Sequence, residues 1–306
     1  MQKVALLSEK RYLKADESNW YLENIILEDK LLTRSLYKND IIAKRVAWDD
    51  NPDLSNFDSA IFRTTWNYFN YLDEFIKFLT TWKNKLIFIN PIDIVLWNLD
   101  KKYLFDLNSN GINIPESILV KRGQVKKLKN ISQKENWSKL IIKPCISAAA
   151  WETYCVERKN IDKYESLFYR LVMKHDMLVQ NFQDSILSFG EISFMLFDGK
   201  YSHAVIKKPK KNDYRVQDDF GGTVSNYYAN NKEINFAERV VKTLKVTPAY
   251  ARVDVIVDKN EQLALSELEL VEPELWFRKK KGSSDLLAGA IKKKIKFNRL
   301  QRRFPP

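Results

Sequence analysis

The segment ALSELELVEPELWF, residues 264–277, sets carboxylates inside an apolar run. In an extended strand, side chains two apart share a face, so Glu267 and Glu269 stand together while Leu268 and Leu270 point the other way. Such neighbours repel unless a cation or a basic group lies between them. Upstream, YARVDVIVDKNEQLALSE carries Arg252 and Asp254 on one face of a second apolar run, and the turn-like DKNEQ joins the two as a β-hairpin. Folding about Lys259 and Asn260 brings Asp254 to Ser266 and Glu267. Asp254, Glu267 and Glu269 then share one face, a hard-oxygen set of the kind that holds Mg²⁺. The alternative is a solvated acidic face. Glu272, just beyond, either contacts a substrate or faces water.

Magnesium in an enzyme commonly accompanies phosphate, because the ion keeps waters and binds few carboxylates plus substrate phosphate oxygens. With eight glycines in the chain there is no GxxxxGK[ST] and no GxGxxG. Positive charge for a nucleotide must therefore come from side chains. Lys143, ending the apolar strand KLIIKP, is one candidate, and Lys101 in WNLDKKYL is a second. Arg215, in DYRVQDDFGG, is a third, an always-charged fork beside the pair Gly221 and Gly222, which lets backbone approach a ligand. Taken singly, each of these is an ordinary surface or ion-pair residue.

The elements that must position these groups follow from the rest of the chain. Its 306 residues, 45 % of them hydrophobic, suffice for two domains or one large α/β domain. No apolar run approaches the roughly 18 residues of a membrane span. The N-terminus turns charged too early for a signal peptide, and a cytoplasmic protein is expected. Two cysteines, Cys145 and Cys155, make neither a disulfide framework nor a zinc site. The net charge of +12 is localised: from Arg278 onward there are eleven Lys/Arg against one acid, Asp285. A basic patch built into the fold is thus unsupported, and nucleic acid is not the expected partner. The basic C-terminal segment is either solvated or meets an acidic partner.

The first ninety or so residues alternate: strand KVALLS, a helix over 16–40 capped by an early Asp or Ser, strands IIAKRVAW and FDSAIFRTT, helix YLDEFIKFLTTW, and strand KLIFINP. Alternating β and α units imply a parallel sheet, with ligands at the C-terminal strand ends. Arg63, Thr64 and Trp66 fall there, as substrate contacts or ordinary loop residues. A helix over 96–111 follows, then strands SKLIIKP and ETYCVE, a helix near 160–173, and strand MLVQNF. The last third is strand-rich: GEISFMLFDG, YSHAVIKKP, YRVQDDFGGTV, a helix over 233–244, then the acidic hairpin. GSSDLLAGAIKKKI reads as a Ser-capped amphipathic helix and KFNRLQRRFPP as a loose tail. His175 and His203 lack metal-ligand spacing, and Cys145 has no base nearby to make it a nucleophile.

In this order, LDKKYLFDLNSNGINIPES, LIIKP, LVQNFQDSILSFGEIS, ARVDVIVD and LSELEL resemble the ATP-grasp ligases over roughly residues 90–290. FRTTWNYFNYLDEF, LWNLDKKYL, IIKPCISA and FGG resemble more specifically the branch containing the D-cycloserine-forming cyclo-ligase, related to bacterial glutathione synthetase. The resemblance implies α/β plus α+β architecture: an ATP-grasp fold preceded by an N-terminal Rossmann-like α/β domain. The implied division is 1–91 for that domain, 92–179 for a central subdomain with a lid near 145–152, 180–296 for the subdomain with the metal hairpin, and 297–306 for the tail.

The same resemblance implies the roles. Lys101 and Lys143 would contact the α- and β-phosphates of ATP, and Ser147 to Trp151 would close as the lid. Gln180, Asn181 and Phe182 would hold the adenine, the backbone binding the base edge, and Glu191 would bind the ribose. Asp254, Glu267 and Glu269 would hold Mg²⁺, two ions with Mn²⁺ as a substitute. Arg215, Arg252 and Lys208 would stabilise the transferring phosphoryl group, while Arg63, Trp66, Gly221 and Gly222 would meet the substrate. The implied reaction is ATP-dependent carboxylate–amine or cyclising ligation of a small amino-acid-like molecule through an acyl phosphate, with ADP and phosphate released. Three positions depart from the pattern: the lid CISAAAW is Ser/Ala-rich where glycines are usual, Gln180 stands where an acid is common, and Glu269 replaces a usual Asn. The alternatives are a peptide-modifying ligase of the same fold, a nucleotide-binding protein without ligase activity, and tail-mediated binding to nucleic acid or an anionic membrane. A homo-oligomer is compatible with all of these.

Overall fold

The computed structural model describes residues 1–14, 19–211, 213–216 and 221–303. Its N-terminal unit is β1 (Gln2–Ser8), α1 (Trp20–Tyr37), β2 (Ile41–Ala47), β3 (Ser59–Thr64), α2 (Leu72–Trp82) and β4 (Ile87–Ile89). These strands form the expected parallel sheet in the order β2-β1-β3-β4. Asn19 caps α1, its side chain accepting from Tyr21 N at 3.0 Å and Leu22 N at 3.2 Å. The expected cap, Asp16 or Ser18, lies outside the described residues.

The single helix expected over 96–111 is two, α3 (Ile92–Asn98) and α4 (Tyr103–Ser109). Apolar periodicity runs across the join, but the backbone breaks at Asp100, whose carboxylate accepts from Lys102 N at 3.0 Å, while Lys101 N donates to Cys145 O at 2.8 Å. There follow β5 (Ser117–Val120), α5 (Leu128–Lys134), β6 (Lys139–Pro144), β7 (Tyr154–Glu157), α6 (Glu165–Val172) and β8 (Met177–Asn181). They build an antiparallel sheet, β5-β8-β6-β7, over a separate core of Val120, Leu140, Val156, Phe168 and Val179.

The last third holds α7 (Ser185–Ser188), β9 (Glu191–Phe197), β10 (Lys200–Lys208), β11 (Thr223–Tyr227), α8 (Asn231–Lys242), β12 (Tyr250–Val257), β13 (Leu263–Glu269) and α9 (Ser283–Arg303). Its sheet runs β11-β10-β9-β12-β13, antiparallel throughout. The strand expected over 214–224 begins only at Thr223, and 217–220 lie outside the described residues. Where a loose tail was expected after Ile295, α9 continues through Arg303, since Lys and Arg are good helix formers and Ile291 and Ile295 are buried. That helix packs into one core with Leu32 and Leu36 of α1 and Phe197 of β9, joining the two ends of the chain.

The acidic hairpin is anchored by buried amides. Asn98 donates to Leu268 O at 2.9 Å and accepts from Leu270 N at 2.8 Å. Asn90 does the same for Tyr250 O and Leu270 O, both at 2.9 Å, and Ala249 N. These side chains satisfy backbone groups of the edge strand β13 and its flanks, fixing the hairpin where it meets the N-terminal unit. Among the described residues no helix is long and apolar enough to cross a membrane.

Candidate active site

Hairpin register decides the chemistry. Asp254 pairs with Glu267 and Arg252 with Glu269, and a bulge follows Asp254. The fold-back expected from the turn at 259–260 is therefore realised, and Ser266 Oγ lies 3.0 Å from Asp254 O. Asp254, Glu267 and Glu269 each present a carboxylate oxygen within 4.8 Å of the others. That spacing suits a divalent cation held by oxygen ligands.

Cations face these acids from every side. The Arg252 guanidinium reaches Asp254 at 2.9 and 3.0 Å and also binds Glu269. Lys207 Nζ lies 2.9 Å from Asp254 and bridges to Glu191. Lys101 Nζ lies 3.3 Å from Glu267 and also donates to Ser147 O. Burial opposes ionisation of Asp254, yet Arg252 and Lys207 hold its carboxyl down to about 2. Burial likewise works against Glu267, which Lys101 and Lys143 pull below the usual range. Glu269 goes the other way: burial, only partly offset by Arg252 and reinforced by Glu267, lifts it to about 7. Lys143 is pushed down by burial, and among the described residues its ammonium has no hydrogen-bond or ion-pair partner. An ammonium left open in a cleft is a ready point charge for an anion.

All of these groups line one cavity of about 1390 Å³ between the three sheets. Ser147, Gln180, Asn181, Phe182, Glu191, Arg215 and Trp66 line it as well. Trp151 of the expected lid packs against Phe69 and His175, at 5.5 Å from each ring. Arg215 holds Asp213, its terminal nitrogen at 2.9 Å.

Several expected placements are corrected. Lys208 is exposed and does not line the cavity; alternation along β10 puts Lys207 inward instead, opposite Glu191 of β9. Arg63 is 3 % exposed and lies outside the cavity lining, its Nε 2.9 Å from Asp29 of α1 and its guanidinium over the Phe277 ring. Gly221 and Gly222 are also absent from the lining. Of the hinge backbone groups expected to bind a base edge, two N–H groups are engaged within the fold: Asn181 N donates to Glu116 O and Phe182 N to Lys139 O. The Gln180 amide nitrogen donates to Ser117 Oγ at 2.9 Å, leaving its oxygen as an acceptor. Glu191 pairs with Lys207 and takes a hydrogen bond from Ser266 Oγ at 2.7 Å.

Sequence reasoning missed Lys207 and left Glu272 undecided. Glu272 lines the cavity at 8 % exposure, and burial raises its carboxyl well above the usual range. The signal for Lys207 was the doublet in AVIKKP, which only strand register resolves. Cys145 is buried, its thiol pushed up to about 12 by that burial, so it is no nucleophile.

The fold defines the class: this is the ATP-grasp fold, preceded by a parallel α/β unit. Residues 4–90 match the family described as the N-terminal domain of D-cycloserine synthetase DcsG. Over 172 residues, 55 % of this chain, the sequence is 26 % identical to the cycloserine biosynthesis protein DcsG of Streptomyces lavendulae. The chain spans 58 % of that relative's length in the match. The crystal structure of D-cycloserine synthetase DcsG superposes with a TM-score of 0.83 at 21 % identity, covering 96 % of this chain and 99 % of that one. The D-alanine–D-alanine ligase of Bacillus anthracis follows at a TM-score of 0.65 and 14 % identity, covering 98 % of this chain and 100 % of the other.

Proposed function

We propose that the chain is an ATP-dependent carboxylate–amine ligase, or its intramolecular cyclising counterpart, acting on a small amino-acid-like substrate. The observation that carries this reading is the meeting of Asp254, Glu267 and Glu269 with Lys101, Lys143, Lys207 and Arg252 in one cavity. Similarity to a cycloserine biosynthesis protein supports it. The units 1–91, 92–179 and 180–296 are the working partition of such a machine.

The three hairpin carboxylates suit Mg²⁺, in our reading two ions, which when bound would neutralise negative charge between the β- and γ-phosphates of ATP. Lys101 and Lys143, from the α3–α4 break and the end of β6, are assigned to the α- and β-phosphate oxygens. Lys207 and Arg252 are assigned to the transferring phosphoryl group, a role given on sequence to Lys208 in place of Lys207. A substrate carboxylate oxygen attacks the γ-phosphorus, the bond to the β-phosphate oxygen breaks, and ADP leaves. An amine nitrogen then attacks the acyl carbon of the acyl phosphate, a C–N bond forms, inorganic phosphate departs, and the nitrogen loses a proton. The segment from Ser147 to Trp151 excludes water from the acyl phosphate.

ADP release from Mg·ATP, measured with pools of amino acids, ureido- and hydroxy-amino acids and small dipeptides, tests this. Release that depends on one pool supports the ligase. Mg·ATP binding without release from any pool would refute a small-molecule substrate.

A further inference from the structure

Trp276 lies in the segment that leads from the hairpin to α9, and three observations set it apart. Its backbone is left-handed, at φ 43° and ψ 46°, where a bulky side chain is rarely found. Its ring is buried, lines the cavity and carries the Arg252 guanidinium 5.2 Å from its centre. Its indole N–H is buried without a hydrogen-bond partner.

A tryptophan kept for its N–H would have an acceptor, because a buried donor without one is costly. A tryptophan kept only to fill the core gains nothing from a left-handed backbone, a conformation that persists where the surroundings over-determine it. Here the surroundings do so: the Trp276 carbonyl accepts from Lys279 N at 2.8 Å and lies 3.2 Å from His203 Nε2. What remains is the face of the ring, and that face carries Arg252.

Arg252 has a use for such support. Its Nε and Nη2 are engaged with Asp254 and Glu269, while its Nη1 has no hydrogen-bond partner among the described residues. The same two carboxylates are assigned to Mg²⁺, so with the ion bound their pull on Arg252 is shared. A neutral ring is no ligand for a hard cation, and its attraction to the guanidinium is not divided in this way. Stacking also fixes the guanidinium plane, which bonds along one edge leave free to tilt. The plane decides where Nη1 points.

We propose that Trp276 is a positioning residue of the ligase, its ring holding the Arg252 guanidinium so that Nη1 is presented to the transferring phosphoryl group. This assignment rests on the ligase reading and adds a residue that acts through Arg252. Phe277, the next residue, lies beneath Arg63 at 5.6 Å, outside the cavity lining, and supplies the control.

The test is ADP release from Mg·ATP, with the substrate pool that supports it, by W276L, W276F and F277L, alongside calorimetric titration of each with Mg·AMP-PNP. W276L removes the face and should lower kcat by about 10-fold or more, the size of a desolvated cation–π contact, with Mg·AMP-PNP affinity held within about threefold. W276F keeps an aromatic face and loses the unpartnered N–H, so its kcat should stay within about threefold of the unmodified protein. F277L should leave kcat within about twofold, whatever it does to the unfolding midpoint. W276M replaces W276L where thermal unfolding shows that W276L is not folded. Undiminished kcat in W276L, equal losses in W276L and W276F, a comparable loss in F277L, or nucleotide affinity falling in step with kcat would overturn the assignment and leave the ligase reading standing. No ADP release by the unmodified protein with any pool would instead strike the ligase reading, and this assignment with it.

Discussion

Arg63, buried, and Arg252, largely buried, are both arginines held by an aspartate and laid over an aromatic ring. Arg63 Nε lies 2.9 Å from Asp29 with the guanidinium 5.6 Å from the Phe277 ring centre; Arg252 Nε lies 3.0 Å from Asp254 with its guanidinium 5.2 Å from the Trp276 ring. Their surroundings separate them. Asp29 is shared with Arg45, whose Nε lies 2.8 Å away, and neither Arg63 nor Asp29 lines the cavity. Asp254 is shared with Lys207, and the whole cluster opens onto the cavity beside Glu267 and Glu269. One network joins a helix to a sheet; the other is available to a ligand. Residue type and partner do not make a site, but access does.

The first way to break this comparison is to remove the shared aspartate of the closed network. D29A leaves buried Arg63 without its hydrogen-bonded counter-charge and strips half-buried Arg45 of the same partner, and should cost about 3–5 kcal/mol in denaturant unfolding. An unchanged midpoint would mean that the network carries no structural burden.

A second buried group sharpens the structural side. His203, 6 % exposed on β10, has Nε2 at 3.1 Å from Leu275 O and 3.2 Å from Trp276 O, and burial lowers its pKa to about 4. Its folded pKa lies below the unfolded value near 6.5, so the stability it contributes is present above pH 6.5 and is lost as pH falls through about 4. The loss should reach about 3 kcal/mol, and H203Q should flatten that part of the pH–stability curve. An identical slope in the variant would remove His203 from the account.

On the open network, K207A should lower ADP formation by about 100-fold or more, the scale of a lost transition-state electrostatic contact. K208A, one residue on and exposed, should change it by less than about twofold, as surface substitutions do. Steady-state ADP assays on the two variants separate them; equal effects would mean the inward register of β10 is wrong. The smallest stability effect expected is that of N98A, which frees Leu268 O and Leu270 N of the hairpin edge. About 1–3 kcal/mol of stability should be lost, read by thermal unfolding.

How far the sequence revealed this follows from the same contrast. The hairpin site was legible because period-two alternation and a turn at 259–260 decide which acids meet, with no distant partner needed. Lys207 was not, because choosing between adjacent lysines needs the register of β10, which shifts between Tyr201 and His203. Arg63 looked like a substrate residue because it ends a strand of a parallel sheet; the aspartate that claims it sits 34 positions earlier, on α1. The Lys101 break was hidden by apolar periodicity continuing through it.

The most direct test of the central claim is ADP release from Mg·ATP by the unmodified protein and by E267Q, with the same carboxylate supplied to both. The account predicts carboxylate-dependent release that falls by about 100-fold or more in the variant, with the fold intact by thermal unfolding. Undiminished release from E267Q would contradict it, because the open carboxylate cluster would then have no part in handling the nucleotide.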